Sequence, residues 1–192
     1  MTWPILHAAT GTPDAFVAFW ERCYTGYDEE FYRANIGQPL TEDRIAEWFR
    51  WKNGTPLSAK KKKAIIRFAS ADERLASDAG DEAVAAFLNR PGGAVWRIFW
   101  LHLQHPARFP IYDQHVHRAM AFLSGWDDLE LPAGNAANVR RYLGNYRPFF
   151  GRFRTCDLRQ ADRALWSFGR FLKSSYGRVL TDQTSEQPTH DG

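Results

Sequence analysis

Residues 81 to 121 read DEAVAAFLNRPGGAVWRIFWLHLQHPARFPIYDQHVHRAMA, and this stretch decides the fold. Its pattern predicts helix, tight turn, helix, extended loop, helix. Asp81 is a suitable cap for a helix running from Glu82 to about Leu88. Asn89, Arg90, Pro91, Gly92 and Gly93 break it, because proline lacks a donor and glycine tolerates positive φ. A second, very apolar helix follows from Ala94 to about Gln104, carrying Val95, Trp96, Ile98, Phe99, Trp100, Leu101 and Leu103. Pro106, Phe109 and Pro110 force an extended segment. Asp113 then stands at the N-cap of a third helix, whose apolar face is Val116, Met120, Ala121 and Leu123.

Working outward, helix signals recur in both directions. Thr12 with Pro13 and Asp14 starts one helix, and Thr41 with Glu42 and Asp43 starts another, which Asn53-Gly54 stops. Tyr27 to Gly37 reads as a loop or short helix. Ser58 caps a basic helix, AKKKKAIIRFA, in which Lys60 to Lys63 occupy the end that the helix dipole makes unfavourable for cations. That placement fits phosphate binding; a solvated face over Ile65, Ile66 and Phe68 is the competing reading. Residues 70 to 80 read as a short polar helix. Asn135 to Phe150 forms a helix with Val139, Tyr142, Leu143 and Tyr146 inward, and with Arg140, Arg141, Arg147, Arg152 and Arg154 in and after it. Asp157 or Thr155 caps a last helix with the stripe Leu158, Ala161, Leu165, Trp166, Phe168, Phe171 and Leu172. No strand is indicated, so the expected class is all-α. The chain reads as one domain over residues 1–180, with lobes at 1–80 and 81–180, and a disordered polar tail at 181–192.

The order of elements resembles the helix-hairpin-helix DNA glycosylase superfamily. RPGGAVWRIFWLHL is similar to that family's hairpin and following helix. HPARFPIYDQHVHRA resembles its loop ending in V-D-x-H-V-x-R, with Pro110, Asp113, His115, Val116 and Arg118 in matching places. The match covers about a fifth of the chain. Three departures matter: Tyr112 stands where small apolar residues are usual, the hairpin is shorter than the family's, and no lysine follows the turn, where Gly93, Ala94, Val95 and Trp96 are found. The resemblance therefore implies a monofunctional glycosylase, one whose lysine comes from elsewhere (Lys52 or Lys60 to Lys63), or a member without catalysis. It also implies two helical lobes around a cleft and double-stranded DNA as partner, bound by a monomer.

Breaking a base–sugar bond develops positive charge on the sugar, so an anion and a route for water are needed. Asp113 supplies both roles, and a helix N-terminus keeps it ionised; capping alone, worth ~1 kcal/mol, is the competing reading. Backbone N–H groups around Pro91, Gly92, Gly93 and Ala94 are suited to a phosphate, with His115 and Arg118 as further DNA contacts. The resemblance adds a monovalent cation held by the turn's carbonyls. A base flipped out of the duplex needs aromatic faces, for which Trp51, Trp96, Trp100, Tyr112 and Tyr146 are candidates against an ordinary core role.

Bulk properties set the boundaries. The net charge of +3 is too small for a global basic field, so local clusters carry any DNA argument. Cys23 and Cys156 are the only cysteines, which excludes a four-cysteine iron–sulfur cluster and fits reduced thiols in the cytoplasm. His115 and His117, two apart on a helix, point in different directions, so no metal site is expected. The base itself is not specified: a modified base of a phage genome is as admissible as damage, and its excision would be antiviral defence rather than repair. Two rival readings remain, a non-catalytic DNA-binding module and a helical protein-interaction protein.

Overall fold

The computed structural model describes residues 11–70, 74–153 and 156–178, with backbone only at 64 and 66–70. The expected irregular start, Arg154, Thr155 and the tail at 181–192 lie outside these, Gly11 apart. Among the described residues there is no strand, and the protein is all-α.

The capping signals are realised one by one. Thr12 accepts from the Ala15 amide at the start of α1 (Pro13–Trp20), which continues as a 3-10 turn to Cys23. Asp28 caps α2 (Glu29–Asn35), resolving the ambiguous 27–37 segment as a short helix. Thr41 caps α3 (Glu42–Asn53), and Gly54 ends it at φ 68°, a left-handed conformation that disfavours any side chain. Ser58 accepts from Lys61 at the start of α4 (Ala59–Ser70). The helix α5 (Asp81–Leu88) has Gly80, not Asp81, at its cap; Asp81 instead pairs with Arg147 at 2.8 Å. Then come α6 (Ala94–Gln104), α7 (Gln114–Leu123) and α8 (Asn135–Arg141). The chain continues without a break through a π-helical turn at Tyr142–Tyr146 into α9 (Arg147–Phe150). Pro148 explains the widening: it has no N–H, and its ring crowds the carbonyl one turn back. Asp157, rather than Thr155, caps α10 (Leu158–Leu172).

The polar helix expected near 70–80 does not form over residues 74–80. Several of its backbone groups bond to side chains from elsewhere. The Gln104 side chain accepts from the Leu75 amide at 3.2 Å, His105 donates to the Leu75 carbonyl at 2.9 Å, and Arg108 donates to Ser77 and Ala79. Side chains at the end of α6 and just after it thus compete successfully with a helical ladder.

A single core runs through the molecule, built on the fully buried Trp48, Phe49, Phe99, Tyr112, Tyr142 and Tyr146. The helix α1 packs on α10, and α10 lies along α7. Gly169 makes the α7–α10 approach possible: a Cβ there would lie 1.9 Å from the His115 carbonyl oxygen. Because the obstacle is backbone, Gly169→Ala must push the two helices apart. We expect a loss of about 3 kcal/mol, at the upper end of overpacking costs, read as a lower urea midpoint.

His102 ties three elements together. Its Nδ1–H donates to the Phe109 carbonyl at 2.9 Å, which leaves Nε2 to accept from the Tyr32 hydroxyl at 2.9 Å. Burial holds its pKa down to about 3, and that of His117 to about 4, against 6.5 when exposed. With the folded pKa below the unfolded one, the unfolded state takes up protons first. The stabilisation is complete above 6.5 and is lost as pH falls, down to about 4 for His117 and about 3 for His102. A thermal melt should therefore fall steeply below about pH 6, and His102→Gln should remove its share of that slope.

Candidate functional site

Asp113 caps α7 through one oxygen and meets a lysine through the other. Its Oδ1 accepts from the amides of His115 at 2.9 Å and Val116 at 3.2 Å. Its Oδ2 accepts from Lys52 Nζ at 2.6 Å. Lys52 comes from the last turn of α3, 61 residues earlier, and both side chains are nearly out of solvent, at 6% and 13% exposed. Burial alone would raise the Asp113 pKa, but the charge and hydrogen bond of Lys52 outweigh it and hold the carboxyl below its ordinary value. Burial likewise opposes the Lys52 charge, and Asp113 overcomes it to hold the ammonium above its usual pKa. The pair is ionised at neutral pH.

A second buried carboxylate stands beside this pair. Asp162 of α10 lines the same pocket and accepts from Arg159 Nη1 through Oδ2, while its Oδ1 is buried without a hydrogen-bond partner. Burial, opposed by Arg159 and Lys52 and reinforced by Asp113, lifts its pKa to about 6. Arg159 is fixed on every side. It grips Glu29 through two nitrogens, donates to the Tyr24 hydroxyl at 3.2 Å, and lies 4.1 Å from the Tyr32 ring centre. Its own pKa is driven up by these acidic neighbours despite burial.

Aromatic rings wall this polar centre. Tyr24, Tyr27, Trp51 and Trp166 line the pocket together with Lys52, Asp113, Arg159 and Asp162. Trp51 is held by a 2.8 Å bond from its indole N–H to the Asp28 carbonyl and lies 4.8 Å from Tyr27. Gly26 passes directly over Trp166, where a Cβ would come within 2.5 Å of the ring. The inner space is narrow, holding about one water-sized molecule. Tyr27 and Trp51 also line a wider adjoining cleft of about 390 Å³, bounded by Arg50, Gly54, Thr55 and Pro56. Its size is within the range of small-molecule sites.

Of the five aromatics considered from the sequence as pocket residues, only Trp51 lies on this pocket, and Tyr146 is fully buried in the core. Tyr112 is fully buried, bonded to His117 Nδ1 at 3.0 Å and packed on Tyr142 and Tyr146. Trp100 is core, next to Phe49. Trp96 stacks on Phe49 with Lys61 Nζ 5.3 Å from its ring centre. Tyr112, Tyr146, Trp100 and Trp96 are thus corrected as pocket walls: their faces are spent on the core or on Lys61. His115 packs edge-on against Trp166, at 5.2 Å. Arg118 is buried, donating to the Gly169 carbonyl and to Glu130, so its guanidinium joins α7 to its surroundings rather than facing a phosphate.

The hairpin is a distinct feature. Gly92 and Gly93 adopt φ of 127° and 91°, as the turn requires. The Ala94 amide, however, donates to the Asn135 side chain at 2.9 Å, and is therefore engaged within the chain. The Arg97 guanidinium donates to the carbonyls of Arg90 and Pro91, so at those two oxygens a side chain stands where a cation was expected. Among the described residues, no group of three or more His, Cys, Asp or Glu side chains is placed to share a metal ion, and no helix is long and apolar enough to cross a membrane.

Comparison with protein-family models, curated proteins and solved structures finds no match to this chain.

Asp162, Arg159, Tyr24, Tyr27 and Trp166 did not emerge from the sequence as site residues. One signal was present: Asp162 lies four residues after Leu158 and four before Trp166, which places a carboxylate on the apolar stripe of α10.

Proposed function

We propose that this chain is a DNA glycosylase that hydrolyses the N-glycosidic bond of a damaged or modified base, phage-modified bases included, and leaves an abasic site. The observation that carries the reading is the buried, ionised Asp113, held at a helix N-terminus by Lys52 inside an aromatic-walled pocket that adjoins a cleft. An anion kept from water is most effective against the positive sugar that forms as the bond breaks. Tyr27 and Trp51 offer faces for a flipped base between cleft and pocket. Exposed Lys60, Lys62 and Lys63 follow the Gly54–Pro56 rim of the cleft and supply local positive charge for phosphate, with Gly92 and Gly93 at the hairpin as a second contact. The two-lobed arrangement belongs to this reading.

The reaction is hydrolytic. Asp113 holds Lys52 protonated, and an ammonium has no lone pair with which to attack the sugar. The test is release of free bases from a panel of damaged, uracil-containing and phage-modified DNAs, with abasic sites and strand breaks counted separately. Release without strand cleavage supports the proposal. Cleavage trapped by borohydride on Lys52 would replace it with a lyase. Salt-sensitive binding without release would leave a DNA-binding module, and no binding would leave a protein-interaction domain.

A further inference from the structure

The ionised side chains around the pocket do not balance in charge. Lys52 pairs with Asp113, and Arg159 pairs with both Glu29 and Asp162, each side chain being at most 16% exposed. Two cations therefore stand against three carboxylates. The other titratable groups nearby leave that excess in place. Burial raises the hydroxyl pKa of Tyr24, Tyr27 and Tyr146 and lowers that of the His115 ring, so these groups are neutral at pH 7. Asp162 carries the excess. Asp113 has Lys52 to itself, whereas Asp162 shares Arg159 with Glu29, and its Oδ1 accepts no hydrogen bond. The Trp166 indole and the Tyr146 hydroxyl beside it are neutral donors: a bond from either would steady the carboxylate and cancel none of its charge. Burial, with Asp113 and Glu29 adding to it, lifts the Asp162 pKa to about 6, so the charge is present at neutral pH and unfavourable in the free protein.

Building on the glycosylase reading, we propose that Asp162 is a second source of the negative field in which the sugar cation forms: the buried network holds one negative charge more than it holds positive, and the charge that develops on the sugar completes the balance. Lys52 already neutralises Asp113 before the reaction, which leaves Asp162 as the uncompensated anion. A charge acts through space, so Asp162 needs neither contact with the DNA nor room for it, and dry surroundings keep its field strong.

The proposal is tested by linkage. A cation that binds better when Asp162 is ionised must bind less well once it is protonated. Two duplexes are compared that differ at one residue. One carries a pyrrolidine in place of the target sugar, with an amine protonated throughout the range used; the other carries the neutral tetrahydrofuran analogue. The ratio of their affinities cancels every pH effect that the two share, on phosphate contacts or on folding. Wild type should prefer the pyrrolidine at about pH 7.5 and lose about tenfold of that preference by about pH 5, on the acid side of Asp162. Asp162→Asn, whose carbonyl still accepts from Arg159, should begin about tenfold lower and stay level with pH. The wild-type comparison needs no variant, so a misfolded Asp162→Asn does not spoil the test. A wild-type preference that is equal at the two pH values overturns the proposal, as does the full preference retained in Asp162→Asn. A pH-dependent preference without base release from any DNA sinks the glycosylase reading and leaves the unbalanced charge standing; release with a pH-independent preference does the opposite. Binding of neither duplex removes both.

Discussion

Asp113→Asn is expected to reduce base release by about a thousandfold or more, the scale associated with removing an electrostatic stabiliser from a dry site. The argument rests on what the substitution keeps. Asparagine retains an oxygen to accept from the His115 and Val116 amides, so the cap of α7 survives. What disappears is the negative charge and the acceptor facing Lys52. The amide nitrogen then opposes an ammonium, and Lys52 relieves the conflict by shedding its proton, which limits the cost to the fold. Initial rates of base release, with a thermal melt on the same preparation, separate the two effects. A variant that melts like the wild type and releases base at the wild-type rate would reduce Asp113 to a helix cap.

Lys52→Met should have the largest effect on stability. It leaves a buried carboxylate without its partner, a change that costs about 3–5 kcal/mol in other proteins. The pH dependence should change sign at this site. In the wild type the Asp113 pKa is lowered, so its contribution is present above its ordinary 3.8 and is lost as pH falls through the folded value. Without Lys52, burial acts with less opposition and raises that pKa. Stability is then retained at low pH and lost as pH rises. Urea midpoints at about pH 4.5 and 7.5 should show Lys52→Met penalised most at the higher pH. Adding Asp113→Asn removes the stranded charge, so the double variant should recover much of the loss at neutral pH. Independent, additive effects of the two substitutions would show that the ion pair contributes nothing to the fold.

Much of the local structure was legible because its causes are local. Thr12, Thr41, Ser58, Asp113 and Asp157 cap helices through their own side chains, within three residues of the amides they serve. The Pro91-Gly92-Gly93 break likewise follows from backbone conformations that few other residues adopt. The segment at 74–80 was not legible, because its hydrogen-bond partners, Gln104, His105 and Arg108, lie about thirty residues away. Trp96, Trp100 and Tyr112 show the same limit. A sequence shows that a ring is apolar, but which surface it meets depends on how helices cross.

The amino-acid sequence by itself determined the all-α class, the caps and breaks of its helices, and the position of Asp113 at the N-terminus of α7. Only the tertiary structure decided what surrounds that carboxylate. Lys52 arrives from α3 and Asp162 from α10, and Tyr24, Tyr27 and Trp51 from the N-terminal third close the pocket. The physical reason is range: a cap is decided by bonds to neighbouring amides, whereas a buried ion pair depends on how whole helices pack. Here that packing runs through Gly169, where the absence of a single Cβ lets α10 approach α7.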